Sequence, residues 1–496
     1  MALAAPNENP TSPSRLESAS GQCERHRRWT LSIVALAAVS SGCSTLDRIA
    51  AGTAAKLVCS GHFMAHRSVR DIIDDDLNSI AFPNSLLVRG LDIEERHRGQ
   101  ILATKGSAKR RAVFYPGYGC ALLSDADDAP AAVARAPAAR FPLPDASRRW
   151  PDGDFVEPDL PLPRSLASAL NAEFAPSDAA PRSAVRAVVV VKGGRLIAEH
   201  YADGFGPETP QLGWSMAKSV LGMLIGQRIA DGALSLDRDH LFQEWASDSR
   251  AGITVRDLLF MRDGLDSREG YLPFVPGSVP HMLTLEDDVS AVARRAAADR
   301  PHGSHWAYRS ATTNLLSRVL RNAFADDAAY WVYPRERLFG PIGAATAVFE
   351  TDVAGNFVGS SYLYASARDW ARLGLLLLRD GAWEGRQVLP RGWRDFVSTL
   401  PDEYRRSDPR AYGAHVWLRG DPRETELGVR LCNLPDDGIY FSGHWGQIIA
   451  ILPQDDLVIV RLGWTTRASR WNQCKFLESI VDAVRAVDGR SPPSGA

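Results

Sequence analysis

The chain has 496 residues, 45% of them apolar, with 57 Lys and Arg against 59 Asp and Glu. Length and apolar content predict one large globular domain or two, and exclude a chain that is disordered throughout. A formal net charge of −2 leaves no basic surplus to hold nucleic acid, so no such partner is expected.

Residues 1–22 are rich in Pro, Ser, Asn and Ala and read as disordered. Arg25-His26-Arg27-Arg28 follows, then an apolar run from Thr30 to Val39, then Ser40-Ser41-Gly42-Cys43. Basic, apolar, then small is the order of an export signal, and the apolar run is short for a bilayer span. Residues 1–50 are therefore expected to be a disordered start and an export signal, with Cys43 as a lipidated tether to a membrane. An uncleaved anchor helix is the alternative. The expected location is the periplasm or cell envelope. Behind the signal stand Cys59, Cys120, Cys432 and Cys474, an even number that suits disulfides in an exported chain. Neighbourhood in sequence pairs Cys59 with Cys120 and Cys432 with Cys474. No Cys-x-x-Cys or His-rich spacing points to zinc, so no metal is expected.

Residues 51–122 read as an N-terminal extension, with a short helix from Ser68 to Leu77 and a strand from Ala112 to Tyr115. Residues 123–164 are a Pro- and Ala-rich linker, whose composition predicts an extended, poorly packed segment. The main domain is expected over 165–490. It opens with a helix from Leu166 to Phe174. A buried strand Ala187–Val191, a Lys192-Gly193-Gly194 turn and a return strand Arg195–Tyr201 follow. Helices are expected from about Ser215 onward, then over Val255–Met261, Val289–Ala298, Ser310–Phe324 and Ala367–Leu378. Strands Gly413–Leu418, Gly438–Phe441, Gln447–Pro453 and Leu457–Gly463 come next, and an amphipathic helix Gln473–Val487 closes the chain. Hairpin-linked strands must pair antiparallel. The expected fold is α/β (α+β): a central antiparallel sheet from both chain ends, flanked by helices, with a mainly helical subdomain inserted.

The chemistry centres on Gly213-Trp214-Ser215-Met216-Ala217-Lys218. A helix beginning near Ser215 puts Ser215 and Lys218 on one face. A serine hydroxyl needs an adjacent base, and a lysine serves if burial brings its pKa toward neutral. The chain has six lysines, Lys56, Lys105, Lys109, Lys192, Lys218 and Lys475, and only Lys218 has a serine three residues before it. The N–H groups at such a helix start also suit one side of an oxyanion hole.

The order of elements and motifs resembles the serine β-lactamase and penicillin-binding superfamily, and within it the 6-aminohexanoate-dimer hydrolase and esterase branch. The first motif matches Ser215-Met216-Ala217-Lys218, the second Tyr308-Arg309-Ser310, and the third His444-Trp445-Gly446, in family order. The resemblance spans about residues 165–487 and implies catalytic roles for Ser215, Lys218 and Tyr308, with Tyr308 moving protons between lysine and leaving group. It implies oxyanion and substrate contacts from Gln447, Gly446, His444 and Ser310. Ser310 stands where many members carry Asn, and its other reading is the N-cap of the following helix. His444 stands where many β-lactamases and penicillin-binding proteins carry Lys, so a carboxylate-bearing substrate is disfavoured. No cofactor is implied. The expected partner is a small ester or amide, cleaved through an acyl-enzyme on Ser215; a β-lactamase or D-Ala-D-Ala peptidase is the nearest alternative.

Two other classes compete. An α/β-hydrolase reading takes Gly213–Ala217 as a nucleophile elbow and His444 with Asp436 or Asp437 as triad partners. It requires parallel βαβ units that the pattern lacks. The other is an inert envelope binding protein on the same fold. The loop from Arg262 to Val279 carries no readable code for substrate.

Overall fold

The computed structural model describes residues 44–78, 88–123, 130–138, 145–157, 162–175, 185–273, 275–400, 412–418, 432, 434–465 and 471–487. The expected export signal, Cys43 included, lies outside the described residues.

The first described element is a helix over 44–63, α1, which packs on an antiparallel sheet in the order β1 (Asp92–Arg96), β2 (Gln100–Lys105), β3 (Ala108–Tyr115) and β4 (Gly119–Leu123). The expected strand Ala112–Tyr115 is thus the end of a longer one, and three strands beside it were not foreseen. The helix expected over Ser68–Leu77 is one α-turn, Val69–Ile72, running into a π-turn, Ile73–Leu77. Ala51, Val58, Ile101 and Leu122 of this unit share one continuous core with Met216, Leu221 and Tyr362. The disulfide Cys59–Cys120 staples α1 to β4, and a second joins Cys432 to Cys474, the expected pairs.

The stretch expected to be loosely packed is held at several points. Val133 and Trp150 are buried, Ala132 N donates to Val353 O, and the buried Arg372 guanidinium donates to Pro151 O and Gly153 O.

Among the described residues the central sheet has six strands. After helix α2 (Arg164–Phe174) come β5 (Val185–Lys192) and β6 (Arg195–Tyr201). The short β7 (Gln211–Leu212) leads to helix α3 (Met216–Ala230); helix α4 (Ser310–Asn322), strands β8 (Val348–Phe349) and β9 (Leu363–Ala365) and helix α5 (Ala367–Leu378) follow. The chain returns to the sheet with β10 (Trp417–Leu418), β11 (Ile439–Gly443), β12 (Gln447–Leu452) and β13 (Leu457–Gly463), and ends in helix α6 (Gln473–Val487). The order is β10-β11-β12-β13-β5-β6, with every neighbour antiparallel.

Period-two alternation sorts the sheet residues into two cores. Val189, Val191, Ile449, Ile451, Val458 and Val460 face the side that carries α3 and α5. Val188, Val190, Ile448, Ala450, Leu457 and Ile459 face α2 and α6. Helices on both faces explain why these strands are apolar without interruption.

Some expected bounds shift for local reasons. The helix expected over Val289–Ala298 is Ala291–Arg295: Asp288 turns the chain before it by accepting from the Ser290 amide, and Ala298 bridges to Leu265. Val279–Leu285 is an unforeseen helix with proline in its first turn. Of Gly413–Leu418 only the last two residues enter the sheet. His415 turns the chain at φ 60 and donates its amide to Leu259 O.

Candidate active site

Strand β7 pairs with β9, and the ladder continues into Gly213, whose amide donates to Leu363 O at 2.9 Å. A Cβ on Gly213 would lie 2.2 Å from Trp370 Cζ2, so only glycine fits there. Trp214 then takes φ 49, a left-handed turn, and Ser215 stands at the cap position of α3. Helix α3 is buried without a break from Met216 to Gln227. Apolar residues all round its circumference make it a core helix, and that burial encloses Lys218.

Lys218 Nζ lies 3.0 Å from Ser215 Oγ, 3.1 Å from Ser310 Oγ and 2.9 Å from the Ser360 carbonyl oxygen. Burial brings its pKa from 10.5 down to about 8, against the opposing pull of the Glu269 carboxylate. The Tyr308 ring centroid is 5.0 Å from the same nitrogen. Burial and then Glu269 push the Tyr308 phenol well above its ordinary value, while its hydrogen bond with Ser215 acts the other way. Tyr308 therefore stays protonated near neutral pH. It can donate a proton, while the depressed Lys218 is the group able to accept one. Behind Lys218, burial lowers His415 to about 4 and keeps it neutral, with its ring between Leu259 O and Thr313 Oγ1.

Ser310 is not the N-cap of α4. Arg309 occupies that position and Ser310 opens the helix. The Ser310 hydroxyl donates to Glu269 Oε1 at 2.8 Å while the Ser310 amide donates to Glu269 Oε2 at 2.6 Å. A carboxylate from a distant loop thus caps the helix, where its charge favours the N-terminus. The hydroxyl is left to contact Lys218. Tyr271 donates to the same Oε1 at 2.9 Å and stacks on the His444 ring, 5.5 Å between centroids and 5° between planes.

His444, Trp445 and Gly446 form the turn between β11 and β12, with Trp445 at φ 59 and Gly446 at φ 80. The hairpin approaches the Gly213–Ser215 turn closely, since a Cβ on Gly443 would sit 2.2 Å from Gly213 O. Trp214 meets the His444 ring at 5.8 Å and the Trp445 ring at 5.3 Å. The Gln447 side chain is occupied in holding the turn: it donates to His444 O at 3.2 Å and to Gly463 O at 2.5 Å, and accepts from Gly463 N. Its backbone is in register with Gly443 across the β11–β12 hairpin. His444 is exposed, and Asp437 lies a strand length away at the other end of β11.

Ser215, Lys218, Tyr308 and Ser310 thus meet in one cluster, with His444, Gly446 and Gln447 on the adjoining turn. The sequence reasoning missed Glu269 and the Ser360 carbonyl. No motif marks Glu269, which sits in the loop judged unreadable, and a backbone oxygen leaves no sequence trace.

The Beta-lactamase family model matches residues 171–468. The 6-aminohexanoate-dimer hydrolase of Paenarthrobacter ureafaciens is 25% identical over 331 residues, 61% of this chain and 78% of that protein. A Bacillus anthracis structure with the provisional name 6-aminohexanoate-dimer hydrolase overlies 71% of this chain and 91% of its own, at TM-score 0.53 and 21% identity. The hydrolase EstCE1, described as having promiscuous acyltransferase activity, gives TM-score 0.48 and 17% identity over 65% of this chain and 98% of its own.

Proposed function

Since the chain belongs to the beta-lactamase family, we propose that it is a serine hydrolase of esters or simple amides that works through an acyl-enzyme on Ser215. The observation that carries this reading is Lys218 Nζ at 3.0 Å from Ser215 Oγ, with its pKa lowered to about 8. At pH 7.5 roughly a quarter of such a lysine is neutral, against about 0.1% for an ordinary one. That difference is more than a hundredfold in available base.

Neutral Lys218 takes the Ser215 proton as Oγ attacks the carbonyl carbon. The carbonyl π pair moves to oxygen, and the amides of Ser215 and Gln447 stabilise the oxyanion. Collapse expels the alkoxide or amine, which takes a proton from Tyr308, and Lys218 returns one to Tyr308. Water, deprotonated by Lys218, then attacks the acyl-enzyme and releases the acid and the free serine. Glu269 orients Ser310, and Ser310 orients Lys218.

The preference for uncharged acyl groups is supported by His444. A lysine at that place would offer a fixed charge to a substrate carboxylate. Here an imidazole stands under Tyr271 and beside two tryptophans. A charge-assisted hydrogen bond is worth about 1.5–3 kcal/mol, or one to two decades in affinity. The likeness to the Paenarthrobacter ureafaciens hydrolase adds 6-aminohexanoate dimer to the substrates worth assaying.

A fluorophosphonate probe should label wild type and not Ser215→Ala. p-Nitrophenyl butyrate should acylate wild type at least tenfold faster than nitrocefin, and His444→Lys should move that ratio toward nitrocefin. A tenfold preference of wild type for nitrocefin would overturn the substrate assignment. Absence of labelling would leave a binding protein.

We also propose export, with lipid attachment at Cys43. Two disulfides in one chain support an oxidising compartment. Fractionation should find the protein in the envelope, and Cys43→Ser should release it from the membrane.

A further inference from the structure

We propose that residues 44–78 and 88–123 clamp the active site, with Lys56 and Glu350 as positioning residues that hold the Ser360 carbonyl against Lys218. The inference rests on the reading of Ser215 and Lys218 as nucleophile and base.

Glu350 follows β8 and is fully buried in the hydrolase core. Its carboxylate is received entirely by the N-terminal unit. Lys56 on α1 pairs with Oε2, Ser60 Oγ donates to Oε1 at 2.7 Å, and the Cys120 amide donates to Oε1 at 2.7 Å. Lys56 Nζ also donates to Cys120 O at 2.6 Å and lies 4.5 Å over the Tyr362 ring. Gly119 makes room for this insertion: a Cβ there would lie 2.5 Å from Glu350 Cγ. The Cys59–Cys120 disulfide ties together the two elements that form the receptor.

The other end of the same hairpin reaches the chemistry. Glu350 N donates to Tyr362 O and Val358 N to Glu350 O, so residues 350–362 close on themselves. Ser360 O then accepts from Lys218, and Leu363 O accepts from Gly213, two residues before the nucleophile. The N-terminal unit supports the opposite wall too. Asp76 O accepts from Trp464 Nε1 at 3.0 Å, and Trp464 packs 4.2 Å from Trp445 in the His444 turn. A main-chain strut that bears on the base is thus fixed from outside the family-matched region, which begins at residue 171.

The consequence has a sign. A carbonyl that accepts from the ammonium favours the charged lysine. Releasing it leaves Lys218 with Glu269, the Tyr308 ring and neutral His415 as its facing groups. The pKa of Lys218 then falls, and the acid limb of the acylation profile moves to lower pH. Loss of alignment slows the reaction at the same time.

The test compares wild type, Lys56→Met and Glu350→Gln by the second-order rate of fluorophosphonate acylation of Ser215 from pH 6 to 10. Each protein is first checked for native near-UV circular dichroism. Both variants should acylate at least tenfold more slowly at the plateau, with the limb displaced downward. A structural role confined to the seam would leave the limb in place. If Lys56→Met does not fold, Glu350→Gln decides alone, since it keeps the shape and an acceptor oxygen. A folded variant with unchanged rate and limb, beside a wild type that labels, overturns the clamp and spares the hydrolase reading. A wild type that does not label overturns both.

Discussion

Lys218 is the residue at which stability and chemistry pull apart. Its cation is buried, and holding its pKa at about 8 instead of 10.5 costs the fold about 3 kcal/mol. The sign is fixed by which state binds more protons. Between pH 8 and 10.5 the unfolded lysine is protonated and the folded one is not, so stability rises with pH across that window. Below pH 8 the full cost is present. Lys218→Met removes it. The variant should melt higher than wild type at pH 7, by an amount that shrinks toward pH 10, while losing three or more decades of esterase activity. Thermal melts at the two pH values check the first part. A Lys218→Met variant that melts lower at pH 7 would mean that the three hydrogen bonds to Ser215, Ser310 and Ser360 outweigh desolvation.

The helix start of α4 shows how an element acquires its function from a partner. Its first residue, Ser310, lacks a local cap, and Glu269 from a loop 41 residues upstream caps it instead. The carboxylate raises the pKa of Lys218 through space. Glu269→Gln keeps an acceptor for the Ser310 groups and deletes the charge. The acid limb of kcat/KM should therefore move to lower pH, and Tm should change little, because one cap acceptor remains. A pH profile with p-nitrophenyl butyrate measures the shift; a limb that moves upward would show that Glu269 acts on Lys218 by geometry and not by charge. The elements legible in sequence were those with a long, regular apolar pattern. Helix Ala367–Leu378 and strand Leu457–Gly463 have the expected bounds. Two-residue strands such as β7 and β8 carry no period, and the pairing of β7 is set by β9, more than a hundred residues distant.

At the scale of the whole molecule a disulfide closes a long loop within each end of the chain. The Cys59–Cys120 bond closes a span of 61 residues and Cys432–Cys474 one of 42. Loop-closure entropy assigns about 4 kcal/mol to each. Cys59→Ser/Cys120→Ser should lower the free energy of unfolding by an amount of that order, measured by guanidinium titration under oxidising conditions. A change below about 1 kcal/mol would mean that the α1–β4 packing already restrains the unfolded chain. By itself the sequence determined the antiparallel sheet, the helix that follows Ser215 and the three motifs, because side-chain period and short-range spacing are written locally. It also determined the cysteine pairs, by neighbourhood. Only the tertiary structure decided that Glu269 caps α4, that the Gln447 side chain is spent on its own turn, and that an N-terminal lysine grips the hairpin behind Lys218. Each of those depends on which distant groups burial leaves in need of a partner, and the chain must fold before that need exists.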